Sequence, residues 1–214
     1  YSAESARRAQ AAIAEGRFAD EVVPVTVKTR KGEVVVDTDE EPGRIDLSRI
    51  PTLRAAFGKD GLLTAASSSK ISDGAAALVL AAADDAAARG CRPLARIVAH
   101  AGHAQEPEWF TTAPVKAIDN VMTKAGWSVE DVDLFEVNEA FACVAMAPMK
   151  DLGIPHQKLN VNGGACALGH PIGASGARLV VTLLHALKAR NLKRGVASLC
   201  IGGGEATAIA IELC

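Results

Sequence analysis

Asn162-Gly-Gly-Ala-Cys-Ala-Leu-Gly-His-Pro-Ile-Gly-Ala-Ser-Gly-Ala-Arg178 sets five glycines around a single histidine, His170. The short apolar run Leu159 to Asn162 leads into this stretch, and the apolar-periodic segment Gly176 to Arg190 follows it. The pattern reads as strand, loop, helix, and it puts the loop at the carboxyl end of its strand, where ligands of α/β sheets collect. Glycine permits close backbone approach and unusual dihedrals, and Pro171 stiffens the turn after His170. A phosphate cradle is disfavoured because no Gly-Lys-Ser/Thr follows, and the glycine order does not match the dinucleotide fingerprint. Two readings stay open: a tight structural turn, or a loop that presents an imidazole to a reacting bond.

Outward from this loop the same alternation continues. Leu94 to Ala101 reads as a strand, Ala113 to Ala125 as a helix ended by Gly126, and Val132 to Val137 as a strand. Phe141 to Leu152 reads as a helix ended by Gly153, and Gly195 to Ile201 with Ala206 to Leu213 as a closing pair of strands. Such a succession predicts an α/β fold, a mixed and mostly parallel five-stranded sheet covered by helices. Toward the amino end, Ala75 to Ala83 reads as a buried strand, followed by a short helix, Asp84 to Arg89. Residues 2 to 15 read as an alanine-rich helix closed by Gly16, and Val22 to Lys28 with Glu33 to Asp37 as a hairpin. The acidic run Asp37 to Gly43 reads as a solvated loop, and residues 44 to 63 as irregular.

Bulk properties exclude several classes. A formal charge of −2 over 214 residues gives no general attraction to nucleic acid or an anionic membrane, and neither partner is expected. Five cysteines without CxxC spacing indicate neither a disulfide framework nor a metal site, which fits a reducing, cytoplasmic setting. No run approaches the roughly 20 apolar residues that span a bilayer. The chain opens on Tyr1 with a helical pattern already under way, as a piece of a longer protein would.

Two further motifs fall at carboxyl ends of strands. In Val137-Asn-Glu-Ala-Phe141, Asn138 sits where strand gives way to helix, either as a cap or as an amide holding a water or a substrate oxygen. In Cys200-Ile-Gly-Gly-Gly-Glu205 the thiol faces a glycine turn whose N–H groups can point at a ligand, although a buried cysteine is ordinarily a small hydrophobe.

Taken together, Asn138-Glu-Ala-Phe141, Gly169-His-Pro-Ile-Gly173 and Cys200-Ile-Gly-Gly-Gly204 resemble the thiolase family in order and spacing. Thr64-Ala-Ala-Ser-Ser-Ser69 and Ser72-Asp-Gly-Ala-Ala-Ala77 resemble its segment leading from the loop domain into the core. The resemblance implies a thiolase-like fold divided into the remainder of an α+β loop domain (1–68), the last strand and helix of the N-terminal domain (69–90) and the C-terminal domain (91–214). It implies thiolysis of 3-ketoacyl-CoA, or Claisen condensation of two acetyl-CoA, by a ping-pong route through an acylated cysteine. Coenzyme A and its acyl thioesters are then substrates, and no cofactor is bound.

None of the five cysteines has the setting of the family's nucleophile, so that residue is expected on an N-terminal half of the same enzyme, and this chain alone is expected to be inactive. By the same resemblance, His170 would activate the nucleophile and help stabilise the thioester oxygen, and Asn138 would hold the water that completes that oxyanion hole. Cys200 would be the general acid/base, and the Gly202 N–H would serve a second hole. Ser69, Ala140 and Phe141 would line the pantetheine channel, Arg44 would lie near the nucleotide end of CoA, and Trp109 with Phe110 would shape the acyl pocket. The complete unit would be a homodimer or homotetramer. A ketoacyl-synthase-type condensing enzyme would carry a second histidine where Asn138 and Cys200 stand, and a non-catalytic acyl- or lipid-binding relative would need none of the acid/base set.

Overall fold

The computed structural model describes residues 1–214. The first helix, α1 (Ser2–Ala14), buries Ser5, Ala6, Ala9 and Ala12, a stripe at helical spacing made of side chains small enough for close approach. A hairpin follows, β1 (Val25–Thr29) and β2 (Gly32–Val36), paired antiparallel and exposed on both faces. Part of the acidic stretch expected as loop is a helical turn, α2 (Glu40–Arg44). Arg44 closes it by bonding Glu40 at 2.5 Å and Glu41 at 2.9 Å, the i,i+4 and i,i+3 spacing that pairs charges on a helix surface.

Residues 75–82, expected with Ala83 as a buried strand, pair with nothing: they are irregular and mostly exposed, Val79 at 99 % and Leu80 at 72 %. A strand is buried only between neighbouring strands and covering helices, and this chain places none of them beside that stretch. It ends in a short helix, α3 (Ala83–Ala88).

From residue 95 the chain builds its core. In order come β3 (Ala95–Ala104), α4 (Ala113–Ala125), β4 (Leu134–Val137), α5 (Ala142–Asp151), α6 (Ala165–Leu168), α7 (Ser175–Ala189), β5 (Arg194–Ile201) and β6 (Glu205–Leu213). The sheet order is β3-β6-β5-β4. The fold is α/β with a mixed sheet, as expected, but the sheet has four strands and two of its three pairings are antiparallel. The reason lies in one element. β3, β4 and β5 run the same way, and β6, folded back through a hairpin, is inserted between β3 and β5, so both of its pairings reverse. The fifth strand expected at Leu159 to Asn162 is reduced to a single parallel bridge, Leu159 to Phe135, next to which Asn160 N donates to Phe135 O.

Side chains alternate across this sheet with the strand period of two. Phe135, Val137, Val196 and Cys200 face α4 and α5, whereas Leu134, Ala197 and Ile211 face Leu179, Leu183 and Leu187 of α7. Ala206, Ala208 and Ala210 keep β6 low on the first face, so α4 settles against it through Ala113 and Ala117 without large rings.

One polar side chain breaks the apolar layer under α7. Glu136 is 1 % exposed, neither of its oxygens accepts a hydrogen bond, and its nearest cation is Arg178 Nη1 at 3.6 Å. Burial pushes its carboxyl up to about 8, outweighing Arg178, and burial likewise pushes Glu21, bonded by Thr182, up to about 7. A carboxyl whose folded value exceeds its unfolded one contributes stability that is full below the unfolded value and lost as pH rises through the folded value. Unfolding stability is therefore expected to fall between pH 5 and pH 8. Glu136→Gln should flatten that slope by about 1.4 kcal/mol per pH unit, the worth of one proton, measurable by urea titration at several pH values; an unchanged slope would contradict the burial argument.

Candidate active site

Because β3, β4 and β5 are co-directional, their carboxyl ends open at one edge of the sheet, and the three motif loops leave from that edge. Asn138 N still donates to Ser198 O at 2.9 Å, which holds the residue at the tip of β4, fully buried. Its Nδ2 lies 3.2 Å from His170 Nε2. On the far side of the ring, His170 Nδ1 is 2.5 Å from Ser175 Oγ, and that hydroxyl donates to Pro171 O at 3.0 Å.

These contacts fit one tautomer: with the Ser175 hydroxyl donating to Pro171 O, its oxygen accepts from Nδ1–H, and the Nε2 lone pair accepts from the Asn138 amide. Burial, then the positive charge of Arg178, holds the imidazole below its usual value, so it is a neutral base at pH 7. Asn138 Oδ1 is buried without a partner. Its lone pairs are open to a donor from outside the protein, a water included.

Cys200 sits at the end of β5, 9 % exposed. Parallel register pairs Val137 with Ser198, so Asn138 falls beside Leu199, and strand spacing and rise put the Cα of Cys200 at roughly 6 Å. Burial, with a smaller contribution from Cys143, pushes the Cys200 thiol up to about 11: at neutral pH it holds its proton. Beyond it, Gly202 is exposed, and the turn back into β6 needs Gly204, whose φ of 90° is left-handed and where a Cβ would strike Gln105 O.

A strap of backbone stitches the other residues to this edge. Ser69 N donates to Ala140 O at 3.0 Å, Ala142 N to Ser67 O at 2.9 Å, and His170 N to Lys70 O at 3.0 Å. Ser69 and Ala140 therefore adjoin the His170 loop. Phe141 forms an apolar wall with Phe110, ring centroids 6.4 Å apart, and with Phe57 at 6.0 Å. Trp109 is 57 % exposed, and its carbonyl accepts from Gln105. Arg44 lies on the wall of a cavity of about 230 Å³ that Lys70 and Cys166 also line, and it makes no hydrogen bond to Asn138 or His170.

Sequence reasoning missed Ser175, Phe57 and the role of Glu139. The buried Glu139 carboxylate accepts from Tyr1 Oη, Ser5 Oγ and Asn160 Nδ2, each at 2.8 Å, and from Cys166 N at 3.0 Å. It thereby clamps α1 to the loop that carries His170. Gly164 has to be glycine for the same reason, since a Cβ there would run into that carboxylate. Cys166 is buried beside Glu139, and both burial and that negative charge raise its thiol, so it is inert packing. The edge as a whole carries a neutral imidazole lone pair, an amide oxygen without a protein partner and a protonated thiol.

Known proteins resemble this chain over nearly its whole length. The family model described as thiolase, C-terminal domain, matches residues 91–213, and the model described as thiolase, N-terminal domain, matches residues 1–84. Among curated proteins, the acetyl-CoA acetyltransferase of Paracoccus denitrificans is 48 % identical over 99 % of this chain and 54 % of its own length. Among solved structures, the Bacillus anthracis acetyl-CoA acetyltransferase superposes with a TM-score of 0.96 at 44 % identity, covering 100 % of this chain and 54 % of the other. Human mitochondrial 3-ketoacyl-CoA thiolase in complex with CoA superposes with a TM-score of 0.90 at 37 % identity, over 100 % and 53 %. The chain spans about half the length of the curated relatives it matches. With the two family models matched in order over residues 1–84 and 91–213, the chain belongs to the thiolase family.

Proposed function

We propose that this chain supplies the acid/base half of an acyl-transfer site that cleaves 3-ketoacyl-CoA with coenzyme A, or runs the reverse condensation of two acetyl-CoA. The observation that carries the reading is the fixed imidazole: Nδ1–H anchored on Ser175, Nε2 turned to Asn138. Nε2 takes the proton of a nucleophilic cysteine on the remaining half of the protein. The resulting thiolate attacks the 3-keto carbon, and the ring, now carrying that proton, donates to the oxyanion together with a group held by Asn138. When the bond between C2 and C3 breaks, the electron pair stays on acetyl-CoA as an enolate, and the Cys200 thiol, kept protonated by burial, delivers the proton. Coenzyme A then gives its thiol proton to Cys200 and attacks the acyl-cysteine, which releases the nucleophile.

The family relationship and the CoA complex of a relative support coenzyme A thioesters as the substrate class. In this reading residues 1–68 belong to a loop domain, 69–90 complete an N-terminal domain and 91–214 form the C-terminal one. The uncovered apolar stretch around Val79 and Leu80 is the natural seat for the missing half, and the complete unit is a homodimer or homotetramer in a reducing, cytoplasmic compartment. Arg44, held only by exposed pairs worth about 0.3–0.5 kcal/mol each, can exchange its carboxylates for a phosphate. Acetoacetyl-CoA and free CoA test the reading: the 214-residue chain should produce no acetyl-CoA, and the protein complete with its other half should. Turnover by the chain alone would overturn the placement of the nucleophile.

Ser175 gives a finer test. Ser175→Ala removes the acceptor of Nδ1–H, which frees the ring to turn and to change tautomer. In the complete enzyme kcat should fall about 10-fold or more with KM for acetoacetyl-CoA little changed, and Ser175→Thr should restore part of the loss. Equal effects on kcat and KM would point to a packing role instead.

A further inference from the structure

A second concave region lies at the other end of α7. A cavity of about 530 Å³ is lined by Arg7, Arg8, Arg17 and Arg190 together with His156 and the single carboxylate Glu4. Glu4 already binds both Arg7 and Arg8, and Arg8 also donates to His156 O and Leu159 O. Arg17 is held from the rim by Glu15 and reaches Asn162 Oδ1 at 3.5 Å. Arg190 makes no side-chain hydrogen bond and no ion pair. Counting Glu15, the cluster keeps an excess of two positive charges.

This is more than a helix end needs. Residue 190 caps α7, and a cation at a helix C-terminus is favourable, which accounts for Arg190 in isolation but not for three more guanidinium groups turned into the same cavity. Their repulsion is felt: burial first, then Arg17 and Arg8, lower the affinity of Arg190 for its proton. Burial and Arg8 likewise hold His156 below its usual value, hence uncharged at pH 7. Guanidinium forks with spare N–H donors in a recess match tetrahedral oxyanions, which take two parallel bonds from each fork. We propose that this cavity is a binding site for a small dianion of the phosphate class, with Arg190 and Arg17 as its principal ligands. The site lies about 22 Å along α7 from Ser175, at 1.5 Å per residue. It touches the loop of His170 through the contact of Arg17 with Asn162. Nothing in it depends on the acyl-transfer reading.

The test uses the full-length protein at constant ionic strength. Inorganic phosphate and adenosine 3′,5′-bisphosphate are titrated separately and read by thermal shift and by equilibrium dialysis, which distinguishes a free phosphate from the phosphate end of a nucleotide. Saturable binding of at least one probe, weakened 10-fold or more by Arg190→Gln and by Arg17→Gln but not by Arg96→Gln on the far edge of the sheet, is the expected result. Arg190→Lys, which keeps the charge and loses the fork, should fall between, and it serves if the glutamine variant folds poorly. Binding unaffected by both cavity variants, or no saturable binding of either probe, would overturn the proposal.

Discussion

His170→Ala in the complete enzyme is expected to lower kcat for acetoacetyl-CoA thiolysis by about 10³-fold or more, with binding of CoA nearly unchanged. The size follows from the two roles assigned to one ring. Loss of the base leaves the nucleophilic thiol protonated, and loss of an oxyanion donor removes about 3–4 kcal/mol of transition-state stabilisation. The substitution spares the scaffold, because the bond from His170 N to Lys70 O is made by backbone. The pH profile gives an independent check. Since burial and Arg178 hold the imidazole below its usual value, the acid limb of kcat/KM should lie below pH 6.5, where the ring becomes protonated and can no longer accept. A loss under 10-fold, measured by absorbance of the acetoacetyl-CoA enolate, would remove His170 from the chemistry.

Glu139→Ala is expected to be the most destabilising single change at the edge of the sheet, about 3–5 kcal/mol. The carboxylate gathers four donors from three parts of the chain: Tyr1 and Ser5 near and in α1, Asn160, and the backbone of Cys166. Truncation strips all four at once and leaves them facing a cavity, and a buried donor without a partner costs about 1–3 kcal/mol. For a chain of this size the loss corresponds to a midpoint lowered by about 10 °C. Glu139→Gln, which keeps the shape but turns one acceptor into a donor, should fall between. Urea unfolding followed by circular dichroism measures both, and a cost under 1 kcal/mol for alanine would show that α1 is held by its alanine stripe alone.

The motifs of the candidate site were legible in the sequence, and where they fall on the sheet has a physical reason. Asn138 and Cys200 each follow a strand that periodicity identifies, co-directional strands deliver their carboxyl ends to one edge, and the loop of His170 is bonded to Asn138 there although the run before it forms only a single bridge. The position of β6 was not legible, because a hairpin of two alternating strands is the same string whether its second strand closes an edge or inserts between two others. The stretch around Val79 misled for the opposite reason: an apolar run specifies a need for burial, and only neighbouring strands can meet it. Ser175 and Glu139 escaped notice because a hydroxyl five residues from a histidine, or an acid beside an asparagine, has no periodicity to betray it. Their importance exists only once a helix has docked.

The strap from Ser67 to Ile71 has a mechanical consequence. One of its ends is bonded to Ala140 and Ala142, Lys70 holds the backbone N–H of His170, and it runs on within ten residues into an exposed apolar stretch. Any contact that covers residues 75–82 would therefore act a few residues along the chain from the carbonyl that holds the backbone of His170.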